Sequence, residues 1–290
     1  MLVDREEPMK IGIIGLGLIG GSIAKAIQEK TSHQVLGYDI SEVIRNRAKL
    51  VGVVDGFLED GDPSQCDMVI VALYPAETLE YIQAQKGNFK TKSIVIDCCG
   101  IKTPICETAM ELAEQYKFHF IGGHPMAGIE RSGFAFSNSE MFEGATMILT
   151  PRPNEDLALM NEVSQFFRSL GFGRLQITTW QEHDRMIAYT SQLAHVVSSA
   201  YIKNDLSYKH RGFSAGSFQD MTRVAKLNEV MWTDLFLDNK CYLLEEIDEL
   251  IDRLALYRDA IKNVDKDTLR TLLREGKERR QAIEEEPDFD

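Results

Sequence analysis

The 290-residue chain is 44% hydrophobic and 27% charged, which leaves room for two domains with sizeable cores. A formal net charge of −13 and a pI near 5.0 exclude general affinity for nucleic acid or an anionic membrane, though not for a small anionic ligand. The five cysteines are odd in number and lack metal-type spacing, so no metal centre is expected and reduced thiols fit better than a disulfide framework.

The opening "MLVDREEPMK" is acidic and lacks the basic-then-apolar order of a signal peptide. The longest apolar run, residues 11–21, is punctuated by glycine and far too short to span a membrane. A soluble, cytoplasmic protein is expected.

In chain order, "MKIGIIG" predicts a strand and "GSIAKAIQEK" the helix after it. Further strands are predicted at "HQVLGYD", "CDMVIVALYP", "KSIVIDCCG", "FHFIGG" and "ATMILTP". These are continuous apolar runs, the pattern of buried parallel strands, and they alternate with helical stretches. The fold class is therefore α/β, a Rossmann-type doubly wound sheet. Strand signals end with "GRLQITTW", so residues 1–179 are read as a dinucleotide-binding domain and residues 180–290 as an all-helical one.

Thr179, followed three residues later by Glu182, forms a capping box opening a helix over residues 181–203. On that helix Met186, Leu193, Val196, Val197 and Ala200 form an apolar face. The opposite stripe of Ala188, Ser191, Gln192, His195 and Ser199 is polar but uncharged, which suits a pocket wall or a close helix contact. Further on, Leu243, Ile247, Leu250, Leu254, Tyr257 and Ile261 step by fours and threes. That seam reads as a core-facing amphipathic helix or as a coiled-coil-like dimer interface, and a homodimer is expected. The tail, "EGKERRQAIEEEPDFD", is expected to be solvated and partly disordered.

"GLGLIG" supplies Gly15, Gly17 and Gly20 as G-x-G-x-x-G, with Leu18 and Ile19 at the start of the helix it opens. It follows a strand, and Asp39 ends the next strand, nineteen residues past Gly20. In that context the glycines allow a tight turn and close approach to a pyrophosphate, and the helix N-terminus faces the phosphates. Asp39 is placed to accept hydrogen bonds from ribose hydroxyls and to repel a 2′-phosphate. NAD is the expected cofactor; Arg45 and Arg47, a turn or more into the following helix, leave room for NADP.

"GGHPMAGIERSG" carries His124 past a predicted strand, on the side where such sheets bind ligands. A dehydrogenase oxidising an alcohol needs a group to take the hydroxyl proton, and histidine suits that role near neutral pH. The two glycines before it would let substrate and backbone approach closely. A strand-end histidine bonded to backbone is the plainer reading.

"GLGLIGGS", "DCCGIK", "GGHPMAGIERSGF", "FEGATMILTP", "TSQLAH" and "FQDMTRVA" with "MWTDL" occur in one order that resembles the prephenate dehydrogenase family, which includes arogenate and cyclohexadienyl dehydrogenases. The resemblance runs from about Lys10 to at least Lys240. It implies oxidative decarboxylation of prephenate to 4-hydroxyphenylpyruvate with NAD, in tyrosine biosynthesis, with His124 polarising the ring hydroxyl. It also implies that Arg223 binds a carboxylate of the dianionic substrate, that His195 lines the pocket, and that Glu130 and Asp220 belong to an ionic network around it.

Three positions depart from many relatives: Gly100 stands where a serine touches the catalytic histidine, Ile129 where a threonine follows "HPMAG", and Gln192 where a histidine is usual. Neutral Gln192 offers no carboxylate to favour the ammonium of arogenate, so prephenate is the expected substrate. Two other readings compete. A β-hydroxyacid-type dehydrogenase would use a lysine of the helical domain, and the helix carrying His195 offers Lys203 only at its far end. A non-catalytic NAD sensor would account for Gly100 and Ile129.

Overall fold

The structure is a computed structural model and describes residues 8–129 and 131–285; Glu130 lies outside the described residues. It forms two compact units, Met1–Ile187 and Ala188–Asp290.

The first unit runs β1 (Lys10–Ile14), α1 (Leu18–Lys30), β2 (Gln34–Tyr38), α2 (Glu42–Leu50), β3 (Gly56–Phe57), β4 (Met68–Val71) and α3 (Pro75–Gln85). It continues with β5 (Ile94–Asp97), α4 (Thr103–Tyr116), β6 (His119–Met126), β7 (Thr146–Thr150), α5 (Leu157–Ser169), β8 (Arg174–Ile177) and α6 (Trp180–Ile187). The eight strands form one sheet in the order β3-β2-β1-β4-β5-β6-β7-β8. Neighbours β2 and β4 flank β1, so the chain reverses direction across the sheet beside the glycine loop, the place where doubly wound sheets take a ligand.

One expectation is corrected. The sheet is parallel from β3 to β6, but β7 lies antiparallel to β6, with Gly122 opposite Thr150 and Met126 opposite Thr146. A parallel return requires a crossover, usually a full helix. Between β6 and β7 the described chain holds only a short 3-10 turn, Phe134–Phe136, so β7 comes back alongside in the opposite sense.

Alternate strand residues feed two cores. Ile13, Ile70 and Ile96 pack with Ile23 and Ile27 of α1 and Phe166 and Phe167 of α5. Ile14, Val69, Val71 and Val95 pack on the other side with Ile82 of α3 and with Ile105 and Ala109 of α4. Burial on both faces is why these strands read as unbroken apolar runs.

The helix predicted over residues 181–203 is not continuous. The Thr179 hydroxyl caps it as expected, accepting from the Glu182 N–H at 3.2 Å. However, α6 ends at Ile187, a π-helical turn occupies Ala188–Gln192, and α7 (Leu193–Ile202) follows. A π turn inserts extra rotation, so a straight 100° projection misassigns the faces. Met186 and Ala200, expected on the apolar face, are exposed, whereas Ala188 and Gln192 of the polar stripe are buried.

The second unit continues with α8 (Gly216–Thr222), α9 (Glu229–Asp238), α10 (Lys240–Lys262) and α11 (Lys266–Glu285). Its core gathers Ala188, Leu193 and Leu243 with partly buried Val196, Val197, Phe236 and Ile247. The α10 seam is buried at Leu243 but exposed at Leu254 and Ile261, beside exposed Leu244, Ile251 and Leu256. The tail is more ordered than expected: α11 carries it as helix to Glu285, solvent-exposed, with Arg280 and Glu284 paired at 2.9 Å one turn apart. Residues 286–290 of that tail lie outside the described residues. All five cysteines are free thiols, and among the described residues no helix is long and apolar enough to cross a membrane.

Candidate active site

The glycine loop closes for steric reasons that name its residues. Gly15 has φ of +87°, and a Cβ there would lie 2.5 Å from the Ala72 carbonyl oxygen. A Cβ on Gly20 would lie 1.9 Å from the Gly15 carbonyl oxygen, so the first turn of α1 sits directly on the loop. Gly17 differs, because a Cβ there would meet nothing within 4 Å. Nothing in the described chain requires that glycine; what its bare backbone leaves is access from outside.

Leu18 and Ile19 are half-buried in the first turn of α1, which has neither an acidic residue nor a side-chain cap. Its N–H groups and positive dipole end are therefore available to an anion. Asp39, one residue past β2, accepts N–H bonds from Leu16 and Ser41, each at 2.9 Å. Arg45 donates to the Asp39 carbonyl oxygen, which ties that cation back to the strand end. This cradle fits a dinucleotide.

His124 lies inside β6, paired opposite Ile148, and not in a loop as the sequence suggested. The glycines before it are corrected too. A Cβ on Gly122 would lie 2.2 Å from Thr150 Oγ1, and one on Gly123 would lie 2.5 Å from the Asp97 carbonyl oxygen. Protein fills those places, so the pair serves strand packing rather than substrate approach.

Beneath them runs a buried ion pair. Lys102 is fully buried, with its ammonium on the Asp97 carboxylate and 2.6 Å from the Gly123 carbonyl oxygen. Burial alone would lower its pKa, but the Asp97 charge reverses this and raises it, so Lys102 stays an ammonium. Asp97 also accepts the Cys99 N–H at 2.9 Å and the Gly123 N–H at 3.1 Å. The pair thus fixes the backbone that presents His124.

His124 Nδ1 lies 2.9 Å from His183 Nε2, and His183 Nδ1 lies 2.7 Å from Asp184 Oδ1. Asp184 accepts the backbone N–H of Lys102 at 2.8 Å and of Thr103 at 2.7 Å, so this α6 carboxylate caps α4. Burial pushes the Asp184 pKa up, yet the hydrogen bonds from His183 and Thr103 outweigh it and hold the carboxyl below its usual range. Burial holds His183 below the ordinary histidine value, only partly countered by its bond to Asp184. His124 is only half-buried, but its surroundings are dense enough to hold its imidazole well below the usual range, helped by His183 and the Lys102 charge. At neutral pH His124 is therefore uncharged and able to accept a proton.

Sequence reading missed His183, Asp184, Lys102 and Asp97 as parts of this site. The signal was present: "EHD", which starts three residues after the Thr179 cap, and the acid and lysine at the two ends of "DCCGIK". The side chain bonded to His124 Nδ1 is His183, an arrangement the sequence did not suggest.

The remaining predicted residues are placed as follows. Ile129, 51% exposed, follows β6 in the first unit. In the second unit, His195 donates from Nδ1 to the Ser191 carbonyl oxygen at 2.8 Å and stacks on Trp232, with ring centroids 3.9 Å apart. Gln192, 1% exposed, donates to the Leu235 carbonyl oxygen at 2.9 Å and accepts from Asn239 at 2.8 Å, tying the π turn to α9 and its C-cap. Arg223 is exposed at the start of a 3-10 turn, Arg223–Ala225, that packs on α7, and Asp220 is exposed on α8.

Known proteins with these features are found. Residues 23–174 match the family described as prephenate dehydrogenase, nucleotide-binding domain, and residues 179–275 match prephenate dehydrogenase, dimerization domain. The chain is 33% identical to the prephenate dehydrogenase of Lactococcus lactis, over 95% of this chain and 77% of that one. It is 30% identical to the cyclohexadienyl dehydrogenase of Zymomonas mobilis, over 96% of this chain and 97% of that one. A crystal structure of prephenate dehydrogenase from A. aeolicus, in complex with hydroxyphenyl propionate and NAD+, superposes with a TM-score of 0.85 at 25% identity, over 97% of this chain and all of that one. With a family match over more than half its length, the chain belongs to the prephenate dehydrogenase family.

Proposed function

We propose that the protein catalyses NAD-dependent oxidative decarboxylation of prephenate to 4-hydroxyphenylpyruvate, in the cytoplasm and as a step of tyrosine biosynthesis. The observation that carries this reading is His124: an uncharged imidazole at a strand's ligand-facing end, held through Nδ1 so that Nε2 is left for substrate. NAD, when bound, supplies the acceptor for the hydrogen that leaves the ring with its electron pair. Every other task falls to the chain itself. Gly15, Gly17, Leu18, Ile19 and Gly20 cradle the pyrophosphate, and Asp39 takes the ribose hydroxyls. His124 accepts the hydroxyl proton of the ring.

Arg223 binds a substrate carboxylate through its planar fork, with His195 as a further polar contact. Gln192 serves from behind, by fixing the turn that precedes His195, and Ile129 presents an apolar edge. Residues 1–179 and 180–290 serve as the dinucleotide and the substrate and dimerisation domains. The exposed apolar residues of α10 would be covered by a second copy.

Arogenate is the second reading, favoured by the likeness to a cyclohexadienyl dehydrogenase. Steady-state kinetics on prephenate and on arogenate, each with NAD and with NADP, and with carbon dioxide release measured, tests the assignment. The expected result is the highest kcat/KM with prephenate and NAD. Turnover of neither ring acid would overturn the reading.

A further inference from the structure

The bonds behind His124 leave little freedom in where its protons sit. Asp184 accepts two backbone N–H bonds at the N-terminus of α4 and is held ionised, so it can only accept from His183. His183 must then carry its proton on Nδ1, 2.7 Å from that carboxylate, and its Nε2 is bare. Bare Nε2 lies 2.9 Å from His124 Nδ1, which must donate. His124 is left with its proton on Nδ1 and a lone pair on Nε2, the form a general base requires.

We propose that His183, anchored by Asp184, is a positioning residue that fixes this tautomer of His124 and then relays the proton His124 takes up. The inference rests on the proposed function only in requiring that a ring hydroxyl lose its proton, which is equally true for prephenate and arogenate. As the substrate O–H bond breaks, Nε2–H forms on His124. Nδ1–H of His124 then breaks and Nε2–H of His183 forms, which leaves a His183 imidazolium bonded to the Asp184 carboxylate. The C–H electron pair leaves to the oxidised nicotinamide. When the ring carboxylate departs as carbon dioxide, its C–C pair enters the ring and the ring oxygen becomes a phenolate. That oxygen takes the proton back along the same route, so the relay ends unchanged.

The charges facing the pair explain why a second holder is useful. Lys102, from the turn before α4, faces both imidazoles as a buried cation partnered by Asp97 of β5. Asp184 of α6 bonds His183 and not His124. Among the described residues, a positive charge left on His124 faces Lys102 without a bonded carboxylate; on His183 it has one.

The test begins without substrate or NAD. Nitrogen NMR of protein labelled at its six histidines should show His124 and His183 both protonated at Nδ1 and bare at Nε2 at neutral pH. An Nε2–H form or an even mixture at His124 would overturn the proposal. His183→Gln offers a carbonyl to His124 and an amide N–H to Asp184, but cannot carry the proton. It should keep the His124 tautomer and KM while single-turnover oxidation slows by about 10-fold or more, within the range of general acid–base effects. Its proton inventory in mixed light and heavy water should become linear where that of the wild type is curved. His183→Phe should lose both the tautomer and most of the rate. A His183→Gln rate within twofold of wild type, with an unchanged inventory, would sink the relay even if His183→Phe failed to fold. Turnover of neither ring acid by a protein with the stated tautomers would sink the functional reading alone.

Discussion

The two units carry their chemistry in opposite ways. In the first, Asp97, Lys102, His183 and Asp184 are buried, bonded to one another or to backbone, and set on strands and on helix starts that glycines allow to pack closely. In the second, Arg223 and Asp220 are exposed on a short turn and a short helix with no buried residues, while Gln192 and His195 are tied to backbone or to a neighbouring side chain. Proton transfer needs fixed geometry and a controlled dielectric, which burial provides. Binding a carboxylate needs one cation that can meet its ligand, which an exposed arginine provides. Under the proposed function, the first unit serves the reaction and the second the choice of substrate.

Substitutions should divide along the same line. His124→Asn should cause the largest loss, lowering kcat by on the order of 10²–10⁴-fold with little change in NAD affinity, read by steady-state kinetics and by cofactor titration. Lys102→Met removes one partner of a buried ion pair, leaves Asp97 without its cation, and should cost about 3–5 kcal/mol in denaturant unfolding. Arg223→Ala should do the reverse, leaving the unfolding midpoint in place while KM for substrate rises by about 10- to 100-fold, the value of a hydrogen bond to a charged group. If Arg223→Ala were strongly destabilising, or Lys102→Met silent in unfolding, the contrast between the units would fail.

The smallest effect is a pH dependence of stability. His124 and His183 have folded pKa values below their unfolded ones, so the unfolded chain binds more protons as the pH drops below the ordinary histidine range. Their stabilisation is present above about pH 6.5 and is lost as the pH falls from there towards the folded values. Unfolding measured between about pH 7 and pH 5 should show stability falling with pH, and His183→Gln should make that fall shallower.

Much of the fold was legible because the strands are buried on both faces and therefore appear as apolar runs. The glycine fingerprint was legible because strand, loop, helix and Asp39 stand at fixed spacing. The antiparallel turn of β7 was not, because nothing in "ATMILTP" itself distinguishes one sense from the other; the missing crossover helix does. The π turn was hidden for a related reason, since a single inserted residue leaves composition unchanged and rotates every later side chain. Within the site, His124 stood out by its loop-like setting, although that setting proved to be a strand. His183 and Asp184 did not, because a histidine and an acid near a helix start look like ordinary capping residues until tertiary structure brings β6 beside them.

Asp184 joins folding and chemistry in a single carboxylate. The backbone amides of Lys102 and Thr103 that it accepts are also the first amides of α4, so their exchange with solvent deuterium reports on the anchor of the proposed proton relay. If the relay holds, opening of that one helical turn silences the enzyme while the rest of the sheet stays folded. Warmed gently, such a protein loses turnover before it loses its circular dichroism.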